Sequence, residues 1–343
     1  MIDREAGLAP NGARAGTQRS RWGTEAAGAG PHGSSTADRR IRSMKRIAQI
    51  WWTALLAGWL CLAAAAQAAG PLATVTIADG PAALLREAAR FDVAEGLRLQ
   101  AGDIVETPAQ GRLLRLEFAD GAIVDLGPAS RALIGPRPGG ALARKNIRLY
   151  LLQGWLKYTG AAKPAAGPAS SVLSPGLEFS ETGVRQAVLA ALPDGGMAFC
   201  EAGSLTLLDR RSNPPGSTAL KAGQFAGRSG SDKPAVSSRP SGAFLQNVPR
   251  GFIDTLPSRI EMFRNKDVLP KGQADIAYAD VAPWLSAEPA LRAQFVTQWR
   301  TLARKAEFRA GLTDNLRSHP EWERVLFPER FQPKPGPSAT PRP

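Results

Sequence analysis

The chain has 343 residues, with 43 Lys and Arg against 30 Asp and Glu for a net charge of +13, and it holds two cysteines, two histidines, 28 prolines and 35 glycines. That length accommodates two modest domains with tails. Cys61 sits in an apolar run and His32 in a Gly- and Arg-rich N-terminus. Only Cys200 and His319 remain for a folded part, which excludes a disulfide framework and a Cys/His zinc site within one chain.

Residues 1–43 carry seven arginines and four acids among Gly, Ala and Ser, without apolar periodicity, and are expected to be disordered. Met44-Lys45-Arg46 then opens an uncharged run from Ile47 to Ala68 that closes with Ala66-Gln67-Ala68. A basic start, an apolar centre and small residues at −3 and −1 make residues 44–68 a secretory signal, with cleavage expected between Ala68 and Ala69. The competing reading is an uncleaved anchor, since about 20 apolar residues can span a bilayer; the alanines near the end of the run favour cleavage. Leu60 before Cys61 argues against a lipoprotein, and Ile41-Arg42-Ser43 lacks the apolar pair that twin-arginine export needs after Arg39-Arg40. Translation from Met1 or from Met44 predicts export equally. Without the nine basic and four acidic side chains of residues 1–68, 34 cations face 26 anions, a net of +8. They are scattered rather than clustered, which suits anionic envelope polymers, lipid headgroups or an acidic partner and argues against nucleic acid.

From Ala73 the apolar period is two. Val75 and Ile77 alternate with Thr74 and Thr76 until Asp79-Gly80-Pro81. Leu114, Leu116 and Phe118 alternate with Arg115 and Glu117; Asp120-Gly121 follows, then Ala122, Val124 and Leu126. An Asp-Gly pair between alternating runs is a hairpin signal, because the turn needs positive φ. Ile147, Leu149 and Leu151 repeat the pattern, Gln153-Gly154 interrupts it, and Trp155 to Tyr158 resumes it. A second group comprises Val184–Leu192, a Pro193-to-Gly196 turn, Met197–Glu201 and Ser204–Leu208. Between the groups, 161–170 reads as a loop. These short strands predict a mainly β domain over 69–226, an antiparallel sandwich, roll or stacked β-architecture.

Four segments in this order resemble the FecR domain: Leu99-Gln100-Ala101-Gly102-Asp103-Ile104-Val105, then Leu114 to Gly121, then Leu126-Gly127-Pro128-Ala129-Ser130, then Leu152-Gln153-Gly154-Trp155-Leu156. The resemblance covers roughly 73–225 and is closer before residue 160; around Pro175-Gly176-Leu177-Glu178-Phe179 the family's Gly-Thr pair is missing. It implies an exported β-domain that binds partners without catalysis. Complete FecR regulators also carry a cytoplasmic helical region that restrains a sigma factor. Only 46 residues precede the apolar run here, with no helical stripe, so that role is not expected.

Residues 227–250 are rich in Gly, Ser and Pro and read as a linker. Beyond them the period becomes helical, with Leu291, Phe295, Trp299 and Leu302 on one face. Ser318-His319-Pro320-Glu321 has capping-box spacing. Helices near 254–264, 287–309 and 319–327 predict a small helical domain over 251–330, and the Pro-rich tail 331–343 is expected to be disordered or extended.

The residues that carry chemistry elsewhere have plainer readings here. Cys200 lies in an apolar strand and reads as an inert thiol, and His319 as a packed or solvated helix-start residue. Asp103, Asp120 and Asp194 adjoin glycines as turn acids, and Glu178 with Glu181 is a carboxylate pair at a solvated edge. No phosphate loop, nucleophile elbow or H-E-x-x-H helix occurs. No enzyme activity, cofactor or metal is expected. Trp155, Tyr158 and Trp284 are the candidates for a partner-binding face, with core packing as the competing role. The expectation is a non-enzymatic periplasmic binding or scaffold protein whose partner is an envelope protein or cell-wall polymer, with membrane contact only if the signal stays uncleaved. A membrane-anchored sensing regulator and a hydrolase of envelope polymers are the alternatives.

Overall fold

The computed structural model describes residues 70–163, 168–193, 195–230 and 233–332. The extension 1–43, the signal segment with its Ala68–Ala69 junction, Asp194 and the tail from 333 onward lie outside the described residues. Within them the strands are β1 (Ala73–Asp79), β2 (Ala83–Arg86), β3 (Ala89–Asp92), β4 (Arg98–Leu99), β5 (Ile104–Thr107), β6 (Leu113–Phe118), β7 (Ile123–Leu126), β8 (Ser130–Ile134), β9 (Ile147–Thr159), β10 (Ser171–Ser174), β11 (Leu177–Ser180), β12 (Val184–Leu192), β13 (Gly195–Asp209), β14 (Gly216–Lys221), β15 (Phe225–Ser229), β16 (Ala235–Ser237) and β17 (Lys271–Asp275).

They form two layers. The first runs β4-β1-β6-β7-β9-β12-β13-β15-β16. The second runs β17-β3-β2-β5-β8-β9-β10-β11-β13-β14. All these pairings are antiparallel except β9 with β10. β9 and β13 belong to both layers, and each passes from one to the other at a glycine with positive φ, Gly154 (+95°) and Gly203 (+86°). A side chain at Gly154 would collide with the Ser130 backbone, and one at Gly203 with the Gly183 carbonyl. The Gln153-Gly154 interruption in the sequence is thus a corner in one long strand rather than a break between two.

Alternation then sorts side chains by face. Leu84, Val105, Ala132, Leu149, Leu151 and Val172 point from the second layer into the core shared with Leu114, Leu116, Val124, Leu126 and Leu156 of the first. Their strand neighbours Leu85, Ile104, Leu133, Tyr150 and Leu173 point the other way, against the helical region.

That region comprises α2 (Tyr278–Leu285), α3 (Pro289–Gln298), α4 (Ala306–Asp314) and α5 (Glu323–Leu326), preceded in the chain by α1 (Gly242–Asn247). The predicted face of Leu291, Phe295, Trp299 and Leu302 is buried against the second layer. Boundaries differ from expectation. The stretch near 254–264 is irregular apart from one turn, Ile260–Phe263, and 287–309 is divided among α3, a turn at Leu302–Arg304 and the start of α4. α2 carries Pro283 inside it, which hid it from the sequence. Ser318 caps nothing: His319 precedes the turn Pro320–Trp322, with no side-chain cap bond.

Residues 227–250 are not a free linker. β15 and β16 extend the first layer, and α1, capped by Ser241 Oγ accepting from the Phe244 amide at 3.2 Å, lays Phe244 on that layer's outer face. There it packs against Trp155, Phe199 and Phe225 with ring centroids 5.3–5.8 Å apart. One buried aromatic outweighs a Gly/Ser/Pro composition that otherwise favours disorder. The helical part shares its core with the second β-layer instead of forming a domain by itself.

Candidate functional site: a cleft over a shared arginine

A cleft of about 830 Å³ opens where the two layers part. Its floor is built from three segments. The Asp120-Gly121 turn closes the β6–β7 hairpin, with the Gly121 amide donating to the Phe118 carbonyl at 2.9 Å and φ of +86° at Gly121. β9 supplies Arg148 and Tyr158, and Glu181 follows β11. Gly160, Ala161, Ser170, Thr182 and Arg185 line its walls and rim.

Arg148 organises the floor. Its guanidinium lies over the Phe118 ring, 4.5 Å from the centroid. One side donates to Asp120 at 2.6 and 3.2 Å, the other to Glu181, with Nη2 at 2.8 Å from Oε2. A buried cation is costly unless paired and fully bonded, and this one is bonded on both edges and stacked on a third side. Burial alone would lower the pKa of Arg148; the bonds from Glu181 and Asp120 override this and raise it. Burial pushes the Asp120 carboxyl up, but the bonds and charge of Arg148 and the Ala122 amide hold it below the usual range. Burial likewise pushes the Tyr158 hydroxyl up, and the Glu181 charge beside it adds to this. The floor is thus one cation bonded between two carboxylates, a fixed anionic surface. Asp120 is the carboxylate that reaches solvent, its side chain 30% exposed against 8% for Glu181.

The sequence-predicted residues fall unevenly around this cleft. Asp120 is a turn acid, as expected, and also a floor group. Glu181 and Glu178 do not act as a pair: Glu178 is held by the Lys145 ammonium at 2.6 and 2.7 Å, away from Arg148. Tyr158 reaches the cleft floor but is buried, with its ring edge-on to Phe179, so it offers no open face. Trp284 is wholly buried under the second layer, its indole donating to Glu106 at 3.0 Å, which removes it as a partner-binding residue. Trp155 is half-buried against Phe244 and borders a smaller apolar hollow of about 340 Å³ with Pro128, Leu192 and Pro249. Asp103 is buried, accepting from Arg86 and from the Gln100 amide. Cys200 is buried, and that burial pushes its thiol up. His319 is buried beside the Tyr278 hydroxyl, 3.1 Å from Nε2, and Nδ1 has no partner.

Arg148 itself escaped the sequence reading. The available signal was a lone cation inside the apolar run Ile147 to Leu152, in a strand buried on both faces. Among the described residues no three His, Cys, Asp or Glu side chains come together as metal ligands would, and no helix is long and apolar enough to cross a membrane.

Fold and site together define a two-layer β-protein with strands shared between layers, a helical cover on one face and a cleft with an anionic floor. No family model matches the sequence, and no curated protein matches it. Among solved structures it is similar to two crystal structures of a "putative anti-sigma factor" from Parabacteroides distasonis ATCC 8503, each 12% identical with a TM-score of 0.33. The matches cover 42% of this chain and 64% and 65% of those chains, so the chain spans slightly under two thirds of their length.

Proposed function

We propose that this protein is a FecR-type binding or scaffold protein of the bacterial envelope, exported through residues 44–68 and non-enzymatic, with its ligand seated in the cleft over Arg148. The observation that supports this reading is the closed ionic floor. Arg148 is bonded on both edges by Asp120 and Glu181, so the floor is a fixed, fully paired network rather than a set of free acid–base groups. A hydrolase would use a carboxylate with a pKa raised toward neutrality; Asp120 is shifted the opposite way. An anionic floor with a solvent-reaching carboxylate suits a ligand rich in N–H and O–H donors, which both a cell-wall polymer and an extended protein segment provide.

The test has two arms. Fractionation of expressing cells with mass determination of the accumulated protein is expected to give a soluble periplasmic species beginning at Ala69; a membrane-bound species that retains 44–68 would return the anchored-regulator reading. Co-sedimentation with purified cell-wall sacculi and cross-linking to envelope proteins should capture the wild type and lose it with Asp120→Ala. Capture unaffected by Asp120→Ala would remove the cleft from the reading.

A further inference from the structure

The second layer ends at β14, and its neighbour β13 fixes which main-chain groups of β14 face outward. The Ser204 amide donates to the Gly183 carbonyl at 2.9 Å and the Arg210 amide to the Gly176 carbonyl at 2.8 Å, both away from β14. In an antiparallel ladder, bonded and unbonded pairs alternate. Ser204 pairs with Lys221, Thr206 with Ala219 and Leu208 with Ser217, so these three β14 residues turn their amides and carbonyls outward, while Gly216, Thr218 and Leu220 bond to β13. Lys221 is closed on Gln224, whose Oε1 accepts its amide at 2.7 Å and whose amide donates to its carbonyl at 2.9 Å. Ser217 and Ala219 remain. Their main chains hold two donors and two acceptors on an exposed edge, bonded to no other described residue.

Sheet edges are ordinarily blunted by shortness, charge, proline or a bulge. Among the described residues, β4 has two residues and β16 three, and β17 has a register shift between Lys271 and Ala274 and a charge at each end. β14 has none of these devices: it runs six residues in unbroken register, without proline and with its one charge, Lys221, at its end. It also matches itself. Setting two copies antiparallel about a two-fold axis at Thr218 places Ser217 of each copy opposite Ala219 of the other. Every outward amide and carbonyl of these two residues is then bonded. Leu220 falls opposite Gly216 and Lys221 opposite Pro215, so no bulky side chains collide and no like charges meet. Centring the axis on Ala219 instead would set Ser217 against Lys221, whose main-chain groups are already used.

We propose that β14 is a self-association edge, at which two copies of this chain pair antiparallel through Ser217 and Ala219 and join their second layers into one continuous sheet. The occupant is a second copy because the register that satisfies every free group is the symmetric one, and a two-fold contact of this kind closes at two copies. The inference stands apart from the cleft over Arg148 and needs none of its residues.

The experiment uses the chain from Ala69 onward, which holds every described strand and helix. Sedimentation equilibrium is expected to show a concentration-dependent balance of monomer and dimer. Ala219→Pro removes an outward amide that the β13 ladder does not use, twice per dimer, and is expected to weaken association about tenfold or more. Thr218→Cys reads the register. Thr218 faces itself across the axis as an unbonded pair, with Cα atoms about 4.5 Å apart and within disulfide reach. Cys200, the one native cysteine after Ala69, is buried. Mild oxidation is expected to give a covalent dimer with Thr218→Cys, and none with Ala219→Cys or Lys221→Cys, whose equivalents lie two and six residues further along the ladder. A monomeric wild type, whether or not it captures a strand of another protein, would overturn the proposal. So would association untouched by Ala219→Pro, or cross-linking through Lys221→Cys as readily as through Thr218→Cys. Should Ala219→Pro fail to fold, the cysteine variants decide alone, because they leave the ladder to β13 intact.

Discussion

At the scale of single residues, Arg148 is the side chain on which most depends. Arg148→Met keeps a similar volume but leaves Asp120 and Glu181 facing each other without a cation, and breaking a buried pair in this way costs about 3–5 kcal/mol. Urea unfolding at neutral pH is expected to show that loss, while Asp120→Asn, at the more exposed position, should lose less. The sign with pH follows from the lowered Asp120 pKa. The folded state binds its proton more weakly than the unfolded state, whose Asp titrates near pH 3.9, so the stabilisation is complete above about that pH and disappears as pH falls through the lower folded value. Unfolding midpoints measured from pH 5 downward should fall more gently in Asp120→Asn than in wild type. His319 sets a second window. Burial lowers its pKa and the Arg292 charge adds to this, outweighing the opposing pull of a backbone bond and of Glu321, so the folded state holds the imidazole neutral while the unfolded chain takes a proton near pH 6.5. Stability is therefore complete above about pH 6.5 and declines below it by at most about 1.4 kcal/mol per pH unit until the folded pKa is reached. His319→Leu should flatten this part of the pH–stability curve, and an unchanged slope would show that another group titrates there.

At the scale of elements, the two glycine corners and the short helix α1 carry loads out of proportion to their length. Gly154→Ala and Gly203→Ala each force a left-handed conformation on a residue with a Cβ and press that atom into neighbouring backbone. Each is expected to cost upward of about 2 kcal/mol in thermal or denaturant melts, whereas alanine at Gly102, which has open space around it and only its positive φ, should cost less. Phe244→Ala removes the ring that Trp155, Phe199 and Phe225 surround, for about 3–5 kcal/mol, and should increase Trp155 solvent exposure by fluorescence quenching. The same elements show what was legible beforehand. Alternation located β1, β6, β7 and β9 because one face of each meets the central core, and the Asp120-Gly121 hairpin was read directly, whereas β2 to β5 and β8 gave no such signal. The other face was misjudged. Leu114-Arg115-Leu116-Glu117-Phe118 reads as a strand with a wet side, yet every residue of β6 is buried, since residues 256–259 cover the charged positions. No local pattern announces that cover, because Leu256 lies 141 residues away in sequence from Arg115 and meets it through its carbonyl. For the same reason Arg148 looked like noise in an apolar run, and Trp284, on a helix interrupted by Pro283, looked available to a partner.

At the scale of the molecule, the helical part and the β-layers, among the described residues, form a single compact unit. The second layer's outward row of Leu85, Ile104, Leu133, Tyr150 and Leu173 is buried only because Trp284, Leu291, Phe295 and Trp299 lie on it, with Phe295 stacked on Trp299 at 4.5 Å. Arg210 bridges the same junction, donating to Glu288 at 2.7 and 2.8 Å. Neither side can keep its core without the other. A chain ending at residue 276 would expose five large apolar residues on one sheet face, a patch of the kind that drives aggregation, and is expected to be insoluble or to bind hydrophobic dyes. A fragment of residues 271–332, short and lacking the sheet as a packing surface, should show little helix by circular dichroism. Residues 69–332 should unfold in one calorimetric transition with equal calorimetric and van't Hoff enthalpies. Two separable transitions, or a folded 271–332 fragment, would mean that the helices hold a core of their own. The expected single transition has a consequence for binding: a ligand that stabilises the cleft on one side of the sandwich also raises the melting temperature of the helices on the other, so helical signal alone can report occupancy of the cleft.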